Sequence, residues 1–326
     1  MLDCMRVPTL LLAAFALTIP ASPARAQDSA LPSIMQAYEL WRGGQPKAAI
    51  AILEPMLRQE TLGFTEEERG AAWDLLGSSY QDLQIFDRAR QAYGKALQTL
   101  RSLPSAQAQY AATLNNFATL EQTLGANDSA RALSKKAERI DEQLGDPAGI
   151  AIASTNLAGI ACAQKDFKTA RRSLAMAIKE AQVTTELKDD DYATMYAVMS
   201  ALALHDGKYE EAISSIQQAI DRWVHAHGPS YFMLATAYLL RAEAWAKSGD
   251  YARALADAQH ALAIDDVAIG RNTLGYLTAE TEYARILRAS GAKEQASQLK
   301  KEAGSALAEL KSRQCNGCTI DANGFR

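Results

Sequence analysis

Cysteine is scarce in this chain, four in 326 residues, and the four are badly placed to brace a fold. Cys4 stands near the start, Cys162 alone inside a helical pattern, and Cys315 with Cys318 near the end. No disulfide framework can be built from them, so an apolar core must hold the fold. Aromatic residues make up only 7%, while alanine is abundant. Strands draw on aromatic and β-branched side chains, so this balance favours closely packed helices. Nor is there an excess of positive charge: 34 Lys and Arg face 38 Asp and Glu, for a net −4. Such a chain has no electrostatic footprint for nucleic acid or an anionic lipid surface. After Ile19 no second long apolar run follows, so nothing further reads as a membrane span. The glycines fall at turns rather than in a phosphate-binding loop, and no G-x-S-x-G occurs. No acid, base and nucleophile converge, so the sequence offers no catalytic residue, no metal ligand set and no cofactor.

The N-terminus reads as a targeting segment. Arg6 supplies a positive start, Leu10 to Ile19 a short apolar stretch, and Pro20 breaks it. Ala24-Arg25-Ala26 is an A-x-A-like cleavage site. Residues 1–26 are therefore expected to be a signal peptide cleaved after Ala26, leaving Gln27 first in a periplasmic or secreted protein. A lipoprotein would need a Cys just after the apolar stretch, and none is there.

The remainder is repetitive. Alanines recur at Ala49, Ala89, Ala130, Ala170, Ala212, Ala254 and Ala296, at spacings of 40, 41, 40, 42, 42 and 42. Twelve residues before each comes Ala37, Gly77, Ala118, Ala158, Ser200, Ala242 or Ala284, and seven after each another small residue, except Met56. Small side chains let two antiparallel helices approach closely. Five residues before each alanine stands Gly44, Gln84, Gly125, Lys165, Gly207, Gly249 or Gly291, the place for a left-handed helix cap. Thr65-x-x-Glu68 predicts a capping box, and Gly145-Asp146-Pro147 ends one helix and starts another.

The stretch Trp73-x-x-Leu76-Gly77-x-x-Tyr80, followed by Phe86, Ala89, Tyr93 and Ala96, resembles the tetratricopeptide repeat. The longer period and the segment from Thr113 to Leu120 are similar to the long repeats of kinesin-light-chain-type proteins. The resemblance implies an all-α, right-handed superhelical solenoid of about seven helical hairpins over residues 27–313, followed by an irregular tail, 314–326. It also implies a concave groove, lined by the first helices, that holds an extended protein or peptide segment.

Groove-facing positions would then be Asp74, Ser78 and Gln81, followed by Asn115, Asn116, Thr119 and Gln122 and by Thr155 and Asn156. Amides both donate to and accept from a peptide backbone. Asn116 and Asn156 match the asparagine that such proteins use on a ligand, and the alternative is that they satisfy polar groups of their own helices. Asp74 stands where some relatives carry a carboxylate-clamp lysine, which argues against binding a chain terminus. His225 and His227 read as a polar loop without further ligands, His205 and His260 as surface or groove side chains, and Asp189 to Asp191 as a capped, solvated helix start. Cys315-Asn-Gly-Cys318 reads as a local disulfide, with redox exchange or a metal-linked role as the competing reading. The expected function is non-catalytic binding of protein.

Overall fold

The computed structural model describes residues 30–58 and 63–314, with side chains to residue 310. The expected leader and the Cys315–Cys318 pair lie outside the described residues. Those residues hold fourteen α-helices, a 3-10 turn at Pro104–Ala106 and, among them, no strand. In order they are α1 (Leu31–Arg42), α2 (Pro46–Arg58), α3 (Glu66–Asp82), α4 (Phe86–Leu100), α5 (Gln107–Thr123), α6 (Asn127–Leu144), α7 (Pro147–Ala163) and α8 (Phe167–Ala181). There follow α9 (Asp189–His205), α10 (Tyr209–His227), α11 (Met233–Ser248), α12 (Tyr251–Ala268), α13 (Leu274–Ala289) and α14 (Lys293–Gln314). Consecutive pairs form seven hairpins, and each hairpin packs on the next.

The local signals behave as expected. Thr65 Oγ1 accepts from the Glu68 N–H at 3.1 Å, and the Glu68 carboxylate accepts from the Thr65 N–H at 2.9 Å. The Asp146 carboxylate accepts from the first free N–H groups of α7. All seven hairpin turns place their marked residue at positive φ, including the two that are not glycine, Gln84 at 57° and Lys165 at 61°. Non-glycine residues pay for that conformation with a Cβ clash. The small positions are packed as tightly as the period suggests. A Cβ on Gly77 would lie 2.7 Å from the Tyr93 ring, so the residue that closes on Gly77 is Tyr93 on α4.

The two helices of a hairpin have different surroundings. The first helices touch one another from repeat to repeat, α3 with α5, α5 with α7, and α7 with α9. Each also touches its own second helix and the second helix of the preceding hairpin. Thus α7 buries twelve of its 17 residues, whereas α8 buries three of 15 and shows solvent a polar face. This explains why α3, α5, α7 and α9 lack a sharp apolar stripe: neighbours pack on them from several sides.

The array also curves back on itself. The turn after α1 reaches the end of α10, where His227 Nδ1 lies 3.0 Å from the Arg42 carbonyl. The turn after α3 reaches the start of α13, where the Gln84 side-chain oxygen accepts from the Gly275 N–H at 3.2 Å. Leu274 packs into the core of the first two hairpins, and Trp41 packs against the core of the fifth to seventh. These contacts form a seam between residues 185 and 191 positions apart.

Candidate functional site

The six expected groove residues sit on two first helices: Asn115, Asn116, Thr119 and Gln122 on α5, Thr155 and Asn156 on α7. The sequence reading expects them to face an open groove. In the structure each is 5% exposed or less. The physical reason is the close approach of successive first helices, which places these side chains between neighbours. Asn116 Nδ2 donates to the Asp74 carboxylate at 3.1 Å, and Asn156 Nδ2 lies 3.5 Å from Asn115 Oδ1. Each asparagine thus reaches back one repeat, a ladder of amides that ties α3, α5 and α7 together. Thr119 and Thr155 donate to the carbonyls of Asn115 and Ala151, four residues back on their own helices.

Polar capacity nevertheless remains. The Gln122 amide makes no hydrogen bond to another protein group through either Nε2 or Oε1. Nor do Gln81 Nε2 and Asn116 Oδ1. Buried amides in this state are costly, typically about 1–3 kcal/mol each. Between α7 and α9 a pocket opens, lined by Ile152, Thr155, Asn156, Leu187, Asp191 and Thr194 among others. It brings two of the six expected residues to one place, beside a helix start that the sequence reading assigned to capping alone. Asp191 does cap, accepting from the Lys188 N–H at 2.8 Å, but it is buried rather than solvated.

Two carboxyls on α3 are held towards the neutral form by burial. Burial pushes the Asp74 carboxyl up to about 7, against hydrogen bonds from Thr113 and Asn116 that pull it down. Burial pushes Asp82 up to about 8, opposed by the Trp41 N–H, which donates to it at 2.7 Å. The Tyr93 hydroxyl is raised by burial too, and it donates to Gln81 Oε1 at 3.0 Å beside Ser78.

One further expectation needs correction. His225 and His227 are not an isolated polar pair. His225 Nδ1 lies 2.7 Å from Asp189 Oδ2, and His227 Nε2 lies 2.7 Å from Asp190 Oδ1. The start of a first helix and the end of its antiparallel second helix must meet at one end of the hairpin. Residues 36 or 37 apart in a period near 41 could therefore have been paired from sequence. These four side chains form two separate pairs, and no group of three potential metal ligands occurs among the described residues. His205 stacks on Phe167 and His260 lies against Tyr238, both on exposed edges. Cys162 is buried, as a small apolar residue would be.

Residues 191–266, which span the fifth and most of the sixth hairpins, match the family profile of the tetratricopeptide repeat. Among solved structures, Rap protein complexed with Competence and Sporulation Factor is similar at a TM-score of 0.56 and 16% identity, over 87% of this chain and 78% of that one. The apo form of the quorum sensor NprR from B. thuringiensis gives a TM-score of 0.53 and 15% identity, over 87% and 80%. BtubC (BKLC) from P. vanneervenii gives 0.46 and 18%, over 73% and 91%. With Rap protein and NprR, at such identities, what is shared is the fold. No curated protein matches the chain in sequence.

Proposed function

We propose, from the premise that this chain is a solenoid of tetratricopeptide repeats, that it is a non-catalytic scaffold binding an extended segment of another protein outside the cytoplasm. The observation that carries this reading is the unused amide capacity of Gln122, Gln81 and Asn116 on neighbouring first helices. A peptide backbone supplies one donor and one acceptor per residue, the complement of an unpaired primary amide. The structural relatives lend support by analogy, since one of them is a complex with Competence and Sporulation Factor. Export rests on Arg6, the short apolar stretch and Ala24-Arg25-Ala26.

Because the amides are neutral, binding depends little on salt; a contact between exposed charges would weaken as the Debye length shrinks, from about 10 Å at 0.1 M. The test is a pull-down from envelope extract with residues 27–326, followed by affinity measurements on Gln122→Ala and Asn156→Ala at low and high salt. Each variant is expected to lose about 0.5–1.5 kcal/mol of binding. If both fold and bind like the parent, the inner face is not the site. Thiol titration and metal analysis of the same preparation test the competing role for Cys315 and Cys318. Mass spectrometry of the native protein tests export, which predicts Gln27 at the N-terminus.

A further inference from the structure

His227 is placed so that both ring nitrogens face obligate acceptors. Nδ1 is 3.0 Å from the Arg42 carbonyl oxygen, and Nε2 is 2.7 and 2.9 Å from the two Asp190 carboxylate oxygens. A carbonyl and a carboxylate can only accept, so only an imidazolium, with a proton on each nitrogen, satisfies both. The side chain is 6% exposed, and its ring stacks on Tyr231 at 4.0 Å between centroids. Of the two contacts, the one to Asp190 stays within the fifth hairpin, while the one to Arg42 crosses to the first. We propose that His227 is a proton-operated latch that holds the first hairpin against the fifth and so closes the superhelix.

The groups around the latch come from four parts of the chain and oppose one another. From α1 come Arg42, whose cation opposes a charged ring, and Tyr38, which burial raises. From α3 comes Asp82, and from α9 come Asp190 and, one residue away, Asp189 with its own partners His225 and Arg222. From the turn after α10 comes Tyr231, raised well above its ordinary value and neutral throughout. Burial by itself lowers the His227 pKa, but the hydrogen bond and charge of Asp190 and the Arg42 carbonyl outweigh it and hold the ring above 6.5. The latch therefore contributes fully below 6.5 and is lost as pH rises through the higher folded value. Asp82, buried under the same seam and pushed up to about 8, is neutral while the seam is shut. Its ionisation on further alkalinisation favours the hydrated, open state as well. In the open state the inner faces of α3, α5 and α7 become accessible. That consequence rests on the proposed binding role, whereas the latch itself does not.

The experiment is hydrogen exchange on the full chain from pH 6 to 9, corrected for intrinsic rates, together with small-angle scattering and an NMR titration of the histidines. Protection in residues 40–45 and 82–86 is expected to fall, and the radius of gyration to rise, as pH increases. His227→Gln is expected to show the loosened seam at every pH. His225→Gln, on the same helix but 83% exposed at its side chain, is expected to keep the parent's profile. A parent with constant protection across this range overturns the latch, as does a His227→Gln variant that retains the pH response in an Asp82→Asn background, where the second titrating group is gone. Should that variant fail to fold, the parent's titration decides: a His227 ring titrating at or below 6.5 overturns the proposal. No partner molecule enters these readouts, so a failure of the binding role leaves them intact.

Discussion

Gln122 holds an amide that finds no protein partner although the residue is only 5% exposed. Replacing it with Met, of similar length and flexibility, removes the unpaired donor and acceptor without opening a large cavity. Gln122→Met should raise the thermal midpoint by the equivalent of about 1 kcal/mol or more and at the same time weaken partner binding. A variant that gains stability and keeps its affinity would remove Gln122 from the site. Gly77 makes the opposite case. Its missing Cβ is occupied by the ring of Tyr93, a fully buried side chain with no free rotation to offer. Gly77→Ala should cost about 1–3 kcal/mol, read as a lowered urea midpoint. The need for a small residue here is visible in the period of the sequence, because close helix approach leaves the same mark seven times. The identity of the facing residue is not visible, since a period says which positions are tight but not which side chain fills the space.

Helix ends were the most readable part of the fold. The capping box at Thr65 and Glu68, the Asp146 cap and the seven left-handed turns all depend on neighbours within five residues, and local chemistry suffices to place them. Thr65→Ala should lose about 1 kcal/mol, measured by equilibrium unfolding. Gln84 and Lys165 depart from glycine at the same turn position. Gln84 spends its side chain on the Gly275 N–H across the seam, so the Cβ clash is offset by a long-range bond. At both positions the left-handed backbone carries a strain of about 1–2 kcal/mol. Gln84→Gly should relieve the same strain yet loosen the start of α13, which hydrogen exchange would detect. The burial of the asparagine ladder could not be read in this way. It depends on the distance between successive first helices, which is fixed by the curvature of the array rather than by any one repeat.

At the scale of the whole molecule, four buried carboxyls share one tendency. Burial pushes Asp74 and Asp265 up to about 7 and Asp82 and Asp141 up to about 8. The folded chain therefore keeps protons that the unfolded chain releases near 4, and stability is fully present below that value and lost as pH rises through 7 to 8. The urea midpoint should fall from pH 5 to pH 8, and Asp74→Asn, which keeps the shape and removes the titration, should flatten that fall. Net composition does not announce this, because a charge of −4 says nothing about which carboxylates are dry. The seam adds another property. An ordinary repeat array melts like a row of tiles, each held only by the next, and its ends fray independently. Here the first and second hairpins are also held from residues 227 and 275, so the row is bent into a loop with a clasp. Deleting the last hairpin, whose first helix carries Gly275, should thus unsettle the second, nearly two hundred residues upstream. Melting should proceed as one cooperative event rather than as an erosion from either end.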